Sequence, residues 1–578
     1  MKRNYCPCLI ALFCTLLFTS YAFSTNLYDD FSGATIDTNK WKLGEFVREI
    51  DTSTQKLVTG YANPNPVVID SYPYFEGTEL PFVDPNSIYS MQADVTIVES
   101  SINGTGWSHT RAALPGYWYN DGSAGGGYIG DIWAEVSLRE MTSGFDAAYS
   151  IVRCNTEDCS TFDDIGFGVF DTPILKGSTY TLKIEYNSTA NQFTFWVGSE
   201  QKIVGPTGLP PRSGNPKILF KSLRTRVWLD SPPSSGYISA TFDNVYKNDS
   251  PYDNFSDPLI NATNWTTYEF AREISGGQFR SKIRSSSASN STLVNQLEFV
   301  NPSAISEFEA KVTPSIFQNT LGANLASCLQ GFFFNDGTAG GGPGHYLGEV
   351  GARVCIGGTG GDPSAFWSVW RFPDDSSQNP QNLGGETFTT SITRENPYQL
   401  FLGWDGTKFT FKIGGEVANF EPGVSINQSN RPWKVVRSNI SQPAGKEAIM
   451  ETLLDDVKIT SYLAGDLGIP DCDVDGSDLA KLIANPSLID LATFAQNFGK
   501  NACQPVGCMN NSQCASDKYC RKPSGDCSGW GICERKPLVD ECPIIYQPVC
   551  GCDGRTYGNA CLAAKDGVNA WYNGVCNP

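Results

Sequence analysis

The opening of the chain is repeated near its middle, and this duplication narrows the choice of fold at once. Residues 28–50 recur as 252–274, at an offset of 224 residues and without a gap. A second motif, an aromatic row followed by Asn-Asp-Gly and three glycines, also occurs once in each copy. A repeat of domain length indicates two copies of one fold. We therefore predict two tandem domains, 25–248 and 249–462.

Within each copy, apolar and polar residues alternate over short stretches bounded by Gly, Pro, Asn and Ser. Stretches 180–186 and 193–197 have this pattern, and 398–404 and 409–413 are their counterparts. A period of two indicates antiparallel strands with one buried face, and each pair of stretches predicts a hairpin. The predicted fold class is mainly β, with two antiparallel β-sandwich domains of the jelly-roll type. A short helical connector and a small disulfide-rich domain follow them.

The first copy opens with Asp-Asp-Phe at 29–31 and closes with Asp-Asn-Val at 243–245. These motifs and the length of the copy resemble the concanavalin A-like or laminin G-like superfamily. Relatives of that fold bind glycans, cleave them or serve as structural modules. The resemblance therefore predicts the fold without choosing among these functions.

The second repeated motif is a candidate sugar site, because aromatic rings can stack on a sugar while amide and carboxylate groups bind its hydroxyls. The candidate ligand-binding residues are Trp118, Asn120, Asp121, Phe333, Asn335 and Asp336. The alternative is that alternate aromatic residues belong to the core and that the glycines only turn the chain.

Cleavage of a glycan would require two carboxylates across a cleft. The compact Glu-x-Asp-x-x-Glu strand of hydrolases in this superfamily is missing. Glu349 of the second copy can align with Asp131 or with Glu135 of the first, according to where a gap is placed, and Arg353 then replaces an acid. We therefore expect no catalytic residues and predict that the protein is not an enzyme.

The N-terminus has the pattern of a secretory signal peptide. Lys2 and Arg3 precede an apolar run at 9–18, and Ala22-Phe23-Ser24 provides a cleavage site at small residues. We expect residues 1–24 to be removed and the protein to be secreted and extracellular. No later stretch reaches the roughly 18 apolar residues of a membrane span.

The chain is acidic, with a formal net charge of −19, and loss of Lys2 and Arg3 makes the mature charge more negative still. Such a charge repels phosphate backbones and anionic lipid, so we exclude nucleic acid as a partner. Glycosylation is expected only if the host modifies the acceptor motifs. Those motifs begin at Asn103, Asn187, Asn261, Asn264 and Asn290.

Residues 463–503 combine acidic positions with two short helical patterns, and the segment resembles a degenerate dockerin or EF-hand repeat. The candidate calcium ligands are Asp471, Asp473, Asp475 and Asp478. If the loop begins at Asp471, position 12 is Leu482 where a bidentate acid belongs. The alternative is an acidic helical hairpin closed by a bridge between Cys472 and Cys503.

Removal of the signal peptide leaves an even number of cysteines, which argues for full pairing in an exported chain. Cys154 and Cys159 would close a local loop, and Cys328 and Cys355 would bridge adjacent strands. The remaining cysteines crowd the C-terminus, and their spacing does not give their connectivity. They are Cys508, Cys514, Cys520, Cys527, Cys533, Cys542, Cys550, Cys552, Cys561 and Cys576.

Residues 536–578 contain Cys-x7-Cys, Pro-Val-Cys-Gly, Asp-Gly-x-Thr-Tyr-Gly-Asn-x-Cys and a terminal Gly-x-Cys. This segment resembles a Kazal-type serine protease inhibitor domain. The lead-in at 504–535 resembles the cysteine module that precedes such domains in follistatin-like proteins. In this family an exposed loop enters the protease cleft as a substrate would.

The resemblance assigns the inhibitory loop to Pro543, Ile544, Ile545 and Tyr546, with Asn559 hydrogen-bonded to the loop backbone. Ile544 becomes the primary specificity residue. An aliphatic residue there favours an elastase-like or subtilisin-like serine protease as partner. Proline and the flanking half-cystines fix the loop before binding, so little ordering entropy remains to be lost.

This chain departs from the family pattern at two cysteines. The family's fifth cysteine would fall near Ala564 and is absent, whereas Cys552 is extra. One bridge is therefore rerouted, and a pairing of Cys533 with Cys552 is one arrangement. The main hypothesis is a secreted inhibitor whose sandwiches serve for localisation or carbohydrate binding. The alternatives are an adhesion protein with the Kazal-like module as a spacer, and a polysaccharide-degrading enzyme.

Overall fold

The computed structural model describes residues 26–63, 74–230, 234–287, 291–319, 322–338, 345–359, 362–375, 379–427, 429–461, 511, 518–522, 527, 532–537, 542 and 547–576. The chain forms two compact units, a large one from Leu27 to Val506 and a second one that includes Gly507–Pro578. The predicted signal peptide and the predicted connector fall outside the described residues. The predictions made for Asp471, Asp473, Asp475, Asp478, Cys472 and Cys503 therefore stay predictions.

Short antiparallel strands make up the large unit. Those of the first repeat are β1 Asn26–Asp29, β2 Phe46–Asp51, β3 Lys56–Asn63, β4 Tyr74–Pro81, β5 Ser90–Asn103, β6 His109–Asn120, β7 Asp131–Met141, β8 Gly144–Cys154, β9 Phe162–Val169, β10 Thr179–Asn187, β11 Gln192–Val197, β12 Glu200–Val204, β13 Ser222–Leu229 and β14 Ser235–Lys247. Those of the second are β15 Ser250–Asp253, β16 Phe270–Ser275, β17 Gln278–Ser287, β18 Ser291–Glu298, β19 Ile305–Asn319, β20 Asn324–Asn335, β21 Glu349–Gly358, β22 Ser364–Arg371, β23 Gln381–Ser391, β24 Tyr398–Trp404, β25 Phe409–Ile413, β26 Glu416–Phe420, β27 Trp433–Gln442 and β28 Lys446–Ser461. Short 3-10 turns lie at Pro85–Ser87 and Pro302–Ala304.

These strands form three large sheets. A 16-stranded sheet runs through both repeats in the order β12-β11-β10-β5-β14-β3-β2-β16-β17-β28-β19-β24-β25-β26, and β1 pairs with β28 and β15 with β14. The two six-stranded sheets have the orders β4-β13-β6-β7-β8-β9 and β18-β27-β20-β21-β22-β23. The predicted hairpins are β10–β11 and β24–β25. The mainly β fold with two sandwiches is confirmed.

Each sandwich encloses its own core between a six-stranded sheet and half of the long sheet. Alternation places one face of each strand inside, as Leu182 and Ile184 of β10 show by being fully buried. We call the sandwich that contains β4–β14 sandwich 1 and the one that contains β17–β28 sandwich 2. The outer face of each is the side of its six-stranded sheet that is turned away from the core.

The two repeats exchange their opening segments. Phe31 and Trp41 of the first repeat are buried in the core of sandwich 2. Phe255 and Trp265 of the second repeat are buried in the core of sandwich 1. A spatial sandwich therefore combines most of one repeat with the opening segment of the other.

The two sandwiches are joined where β2 pairs with β16. Equivalent arginines cross this junction in opposite directions. Arg48 Nε donates to the carbonyl of Tyr268 at 2.9 Å, and Arg272 Nε donates to that of Gly44 at 2.7 Å. Backbone pairing and these side chains make the long sheet continuous, which the sequence does not predict.

The described part of the C-terminal unit is small. Its strands are β29 Lys518–Arg521, β30 Ile532–Arg535, β31 Val549–Gly551, β32 Thr556–Tyr557 and β33 Ala570–Asn573, and its helix is α1 Ala560–Lys565. Strands β29 and β30 form a hairpin, and β31 lies between β32 and β33. Among the described helices, none has the length and hydropathy needed to cross a membrane.

Candidate functional site

Two disulfide bridges frame the predicted inhibitory loop. Cys542 is bonded to Cys561 in helix α1, and Cys550 on β31 is bonded to Cys576. The Cα–Cα distances are 5.5 and 4.7 Å, within the usual range for disulfides. The bridges tie both ends of the segment between Cys542 and Cys550 to other parts of the module.

The residues inside this frame lie outside the described part of the chain, so their conformation stays a prediction. They are Pro543, Ile544, Ile545 and Tyr546. The chain is again described from Gln547, whose N–H donates to the carbonyl of Gly558 at 2.9 Å. Before the loop, Cys542 is only 8% exposed. The loop therefore lies between a buried half-cystine, Cys542, and a residue whose backbone is hydrogen-bonded, Gln547.

Asn559 is the N-cap of helix α1. Its Oδ1 accepts the N–H of Leu562 at 2.9 Å, and the side chain is buried. An N-cap of this kind is typically worth about 1 kcal/mol. Asn559 directly follows Gly558, whose carbonyl accepts the N–H of Gln547 at the end of the loop. The hydrogen bond predicted from Asn559 to the loop backbone stays a prediction.

The extra cysteine of the module is bonded to the lead-in. Cys552 pairs with Cys527, at a Cα–Cα distance of 5.4 Å. The predicted pairing of Cys552 with Cys533 is wrong. Cys533 stands on β30, directly opposite Cys520 of β29, and sequence spacing does not reveal that hairpin.

The structure also forms both bridges expected within the sandwiches. Cys154 and Cys159 close a local loop, with Cα atoms 4.9 Å apart. Cys328 and Cys355 are directly opposite on β20 and β21, with Cα atoms 4.1 Å apart. This second bridge packs against Phe366 in a cluster separate from the main core. It therefore reinforces the outer face of sandwich 2.

A row of aromatic side chains crosses the outer face of sandwich 2. Trp433 of β27 is opposite Phe332 of β20, with ring centroids 5.3 Å apart. Gly351 of β21 is opposite both Phe332 and Trp370 of β22. A Cβ atom on Gly351 would lie 2.5 Å from the Trp370 ring. The glycine thus lets the indole lie across the sheet, and we call these three aromatic residues the aromatic row.

Polar side chains lie beside the aromatic row on the same face. Gln330 of β20 is opposite Arg353 of β21, which is opposite Ser368 of β22. On the other side, Arg437 of β27 is opposite Gln296 of β18. Arg353 Nε donates to Ser368 Oγ at 2.8 Å. These residues and the aromatic row line a cavity of about 800 Å³, a volume common for small-molecule sites.

The outer face of sandwich 1 carries different charges at the same sheet positions. Glu135 stands on β7 where sandwich 2 has Arg353 on β21, and Arg111 Nη1 lies 2.5 Å from its Oε1. Arg224, the counterpart of Arg437, forms an ion pair with Glu79. Arg111 and Arg224 of sandwich 1 are therefore each paired with a carboxylate of the protein.

The two predicted sugar-stacking residues, Trp118 and Phe333, do not lie on the outer faces of the sandwiches. Trp118 is a buried core residue, and Phe333 packs against the core of sandwich 2. Each is the extra residue where the pairing register shifts by one. Their neighbours Tyr117 and Phe332 lie on the outer face instead. The prediction that Trp118 and Phe333 offer a stacking surface is wrong, because a bulge turns both inward.

The predicted polar ligands serve the Gly-rich loops. In each copy the asparagine donates to the first acid of the next strand, and the aspartate pairs with an arginine of the strand after it. The pairs are Asn120–Asp131 at 2.7 Å, Asn335–Glu349 at 2.9 Å, Asp121–Arg153 at 2.5 Å and Asp336–Arg371 at 3.1 Å. These contacts favour the structural alternative for all four predicted residues.

The same pairs settle the alignment of the acids. Glu349 corresponds to Asp131, since each is the partner of the motif's asparagine. Both acids are fully buried, and Glu349 also accepts the N–H of Asn430 at 2.7 Å. Arg353 therefore occupies the position of Glu135. The carboxylates of sandwich 1 are not repeated as a pair in sandwich 2.

Among the residues that the structure describes, no group of three or more His, Cys, Asp or Glu side chains is placed to hold a metal ion. Asp29 and Asp253, at the ends of β1 and β15, accept the indole N–H of Trp41 and Trp265, at 2.7 and 2.6 Å. Each bond holds an exchanged opening segment. The calcium site predicted in the connector lies outside the described residues and stays a prediction.

The fold and these sites define a multidomain β protein that ends in a disulfide-bonded module. Residues 533–570 match the family model of the Kazal-type serine protease inhibitor domain. The C-terminal region is therefore a Kazal-type domain, as its motifs predict. No curated protein matches the chain.

Several solved structures match part of this chain with low identity and TM-scores well below 0.5. The mouse laminin alpha1 chain, domains LG4-5, has 10% identity and a TM-score of 0.19, over 68% of this chain and 94% of that one. The kappa-carrageenase from Pseudoalteromonas carrageenovora, solved with an oligotetrasaccharide, has 10% identity and a TM-score of 0.19, over 36% and 82%. The metal-free Emp46p carbohydrate recognition domain has 14% identity and a TM-score of 0.20, over 32% and 84%.

Proposed function

We propose that the protein is a secreted serine protease inhibitor whose loop, residues 543–546, enters the protease cleft as a substrate would. The main support is the pair of bridges Cys542–Cys561 and Cys550–Cys576, which anchor both ends of the loop segment. A loop held in this way loses little conformational entropy on binding, so more of the contact energy becomes affinity. Disulfides and Kazal-type domains are typical of extracellular proteins.

The side chain of Ile544 determines which proteases are inhibited. An aliphatic group suits a shallow apolar pocket, as in elastase-like and subtilisin-like enzymes. In a trypsin-like pocket it would leave a buried carboxylate without a cation, which is costly. We therefore propose elastase-like or subtilisin-like proteases as partners.

The test is inhibition by the full chain with its disulfides intact. Elastase, subtilisin and trypsin are titrated with the protein, and residual activity is measured. We expect inhibition of the first two at about one molecule per active site, loss of inhibition in Ile544→Asp, and retention in the matched variant Ile544→Val. If all three proteases stay fully active, the domain is a spacer and the proposal is rejected.

A second function is favoured by the cavity of sandwich 2, and we propose that it binds a glycan. Trp433 and Trp370 offer apolar ring faces beside the buried ring of Phe332, and polar side chains lie next to them. This combination suits a sugar, which has apolar ring faces and a polar rim. Arg353 stands where the first copy has Glu135, so we propose binding without cleavage.

Binding to a panel of immobilised polysaccharides tests this second function. We expect Trp370→Ala to weaken binding by about tenfold, as for loss of a central aromatic contact. Trp196→Ala, on β11 of the long sheet, is the matched control and should bind as the parent does. Equal binding by both variants and the parent would remove the cavity as the site.

We also propose that the connector binds calcium through Asp471, Asp473, Asp475 and Asp478, whose carboxylates suit this cation. Calcium should then raise the thermal midpoint of the chain, and EGTA should reverse the rise. Asp473→Asn should abolish the response. A midpoint that calcium leaves unchanged would reject this site.

A further inference from the structure

We propose that the cavity on the outer face of sandwich 2 binds an acidic glycan, whose carboxylate or sulfate group is held by the guanidinium groups of Arg353 and Arg437. This inference rests on the glycan-binding function proposed for the same cavity. It adds the charge of the ligand and the residues that recognise it.

The cavity contains cationic groups that the protein does not neutralise. Arg353 and Arg437 both line it, and in the described part of the chain neither lies within 4.0 Å of a carboxylate. Glu298 also lines the cavity, but it is engaged by Lys42. The described contacts of the two guanidinium groups are with Ser368 and with aromatic rings. An anionic group would supply the missing partner.

The two arginines also disfavour each other's charge. Burial, together with the charge of Arg353, lowers the pKa of Arg437 to about 10. Burial likewise lowers the pKa of Arg353. The Nε atom of Arg437 is buried without a hydrogen-bond partner. Partly buried like charges and an unsatisfied donor are unfavourable, and a bound anion would relieve both.

The duplication provides an internal comparison. In sandwich 1, Glu79 pairs with Arg224, and Glu135 is present at the other equivalent position. In sandwich 2, Gln296 replaces the first acid, because it is opposite Arg437 as Glu79 is opposite Arg224. Arg353 replaces the second acid. The carboxylates that pair with Arg224 and Arg111 in sandwich 1 thus have no counterparts in sandwich 2.

The position of the arginines places an anion next to a stacking surface. The Cζ atom of Arg353 lies 5.7 Å from the Trp370 ring centroid, and that of Arg437 lies 6.0 Å from the Trp433 centroid. Ser368 Oγ and the Trp370 ring orient the guanidinium of Arg353, and the Trp433 ring lies beside that of Arg437. A planar guanidinium can bind a carboxylate or sulfate in bidentate fashion. A charged substituent could be bound while the sugar ring stacks on an indole.

General electrostatic attraction does not account for such binding. The chain carries a formal net charge of −19, so a polyanion is repelled by the protein as a whole. Binding of an acidic polysaccharide would therefore require a local cationic site. Its affinity should fall with salt, because the ligand and the site are both charged.

The experiment uses the full chain and three polymers. Dextran sulfate and dextran share a backbone and differ in charge, and polygalacturonate provides a carboxylate in place of a sulfate. We expect affinity electrophoresis to show at least about tenfold tighter binding to one or both acidic polymers than to dextran, the size expected for one charge-assisted contact. The polymer that binds identifies the anionic group as sulfate or carboxylate.

The variants copy the face of sandwich 1 into sandwich 2. The double variant Gln296→Glu and Arg353→Glu restores both acids, and we expect it to lose the acidic preference while its thermal midpoint stays near that of the parent. Arg353→Gln should weaken acidic binding by about tenfold. Arg224→Gln in sandwich 1 is the control and should leave binding unchanged.

Two outcomes would overturn the inference. If dextran binds as tightly as the acidic polymers and Trp370→Ala weakens all of them, the cavity binds glycans without regard to charge, and only the acidic preference fails. If no polymer binds, both the glycan-binding function and the acidic preference are rejected.

Discussion

The indole of Trp41 packs against the ring of Phe299, with ring centroids 4.6 Å apart, although the two residues belong to different repeats. In the other sandwich, Trp265 makes the same contact with Phe82 at 4.7 Å. Both indoles are fully buried. Each sandwich thus completes its core with a segment of the other repeat, and the folding of the two sandwiches is coupled.

The first prediction is that fragments must follow the spatial sandwich rather than the sequence repeat. A fragment of residues 42–269 keeps Phe255 and Trp265 in the core of sandwich 1, whereas 25–248 lacks both. Loss of a buried Phe or Trp side chain typically costs about 3–5 kcal/mol. We expect a cooperative thermal transition by circular dichroism from 42–269 and none from 25–248. The reverse result would contradict the exchange.

The second prediction concerns the junction of the two sandwiches. Arg280 donates to Glu49 at 2.6 Å, to Glu273 at 2.7 Å and to Glu451 at 2.8 Å, and all four side chains are largely buried. Removing the cation leaves Glu273 and Glu451 without their ion-pair partner, and Glu49 keeps only Lys282. We expect Arg280→Met to lower the free energy of unfolding in urea by about 3–5 kcal/mol.

The control for that variant is an exposed ion pair. Lys176 lies 3.1 Å from Glu99 at the surface, so Lys176→Met should cost less than about 1 kcal/mol. Similar losses in both variants would show that the junction does not depend on the buried cluster.

The fold could be predicted largely from sequence, because period-two alternation and duplication report directly on buried strand faces. The exchange could not, since the two opening segments are so similar in sequence that the repeat looks the same with or without the exchange. The sequence also did not reveal which face of the sheet the side chains of Trp118 and Phe333 lie on. Each occupies a bulge where two residues oppose one, and a bulge breaks the alternation on which the prediction depends.

The candidate sites were predictable to a different extent. The frame of the inhibitory loop follows from the cysteine motifs, but the bond from Cys552 to Cys527 does not, because ten cysteines allow many pairings. The cavity of sandwich 2 was missed, since its arginines come from separate strands. The signal in the sequence was the replacement of Glu135 by Arg353, which gains meaning only once the strands are aligned in space.

The third prediction concerns two buried lysines. Lys434 Nζ donates to the carbonyls of Pro302 and Phe332 at 2.9 and 3.1 Å, and burial lowers its pKa to about 7. Lys221 is its counterpart in sandwich 1, and burial likewise lowers its pKa to about 7. Above pH 7 the folded chain holds these amines neutral, whereas the unfolded chain still binds protons.

Stability should therefore rise with pH from about 7 towards 10, by about 1 kcal/mol per pH unit for each lysine. Below pH 7 both states are protonated, and the full cost of burying the charge is present. The measurement compares urea unfolding of the parent and Lys434→Met between pH 7 and 9. The parent should gain more with pH than the variant, and parallel curves would show that Lys434 stays charged when buried.

The fourth prediction concerns the glycine inside the aromatic row. Gly351→Val would drive a side chain into the Trp370 ring and displace it. We expect loss of polysaccharide binding by the cavity while protease inhibition is retained, because the inhibitory loop belongs to the other unit. Gly415→Val, at a position with open space around a Cβ atom, is the matched control. Unchanged binding in Gly351→Val would place the glycan elsewhere.

The most direct test of the inhibitor proposal is a change of protease specificity at one residue. The full chain and its Ile544→Lys variant are titrated against elastase, subtilisin and trypsin, and inhibition constants are measured. We predict that the parent inhibits elastase or subtilisin and spares trypsin, and that the variant gains trypsin inhibition while losing elastase inhibition. A parent and variant that inhibit the same proteases, or none, would contradict the account.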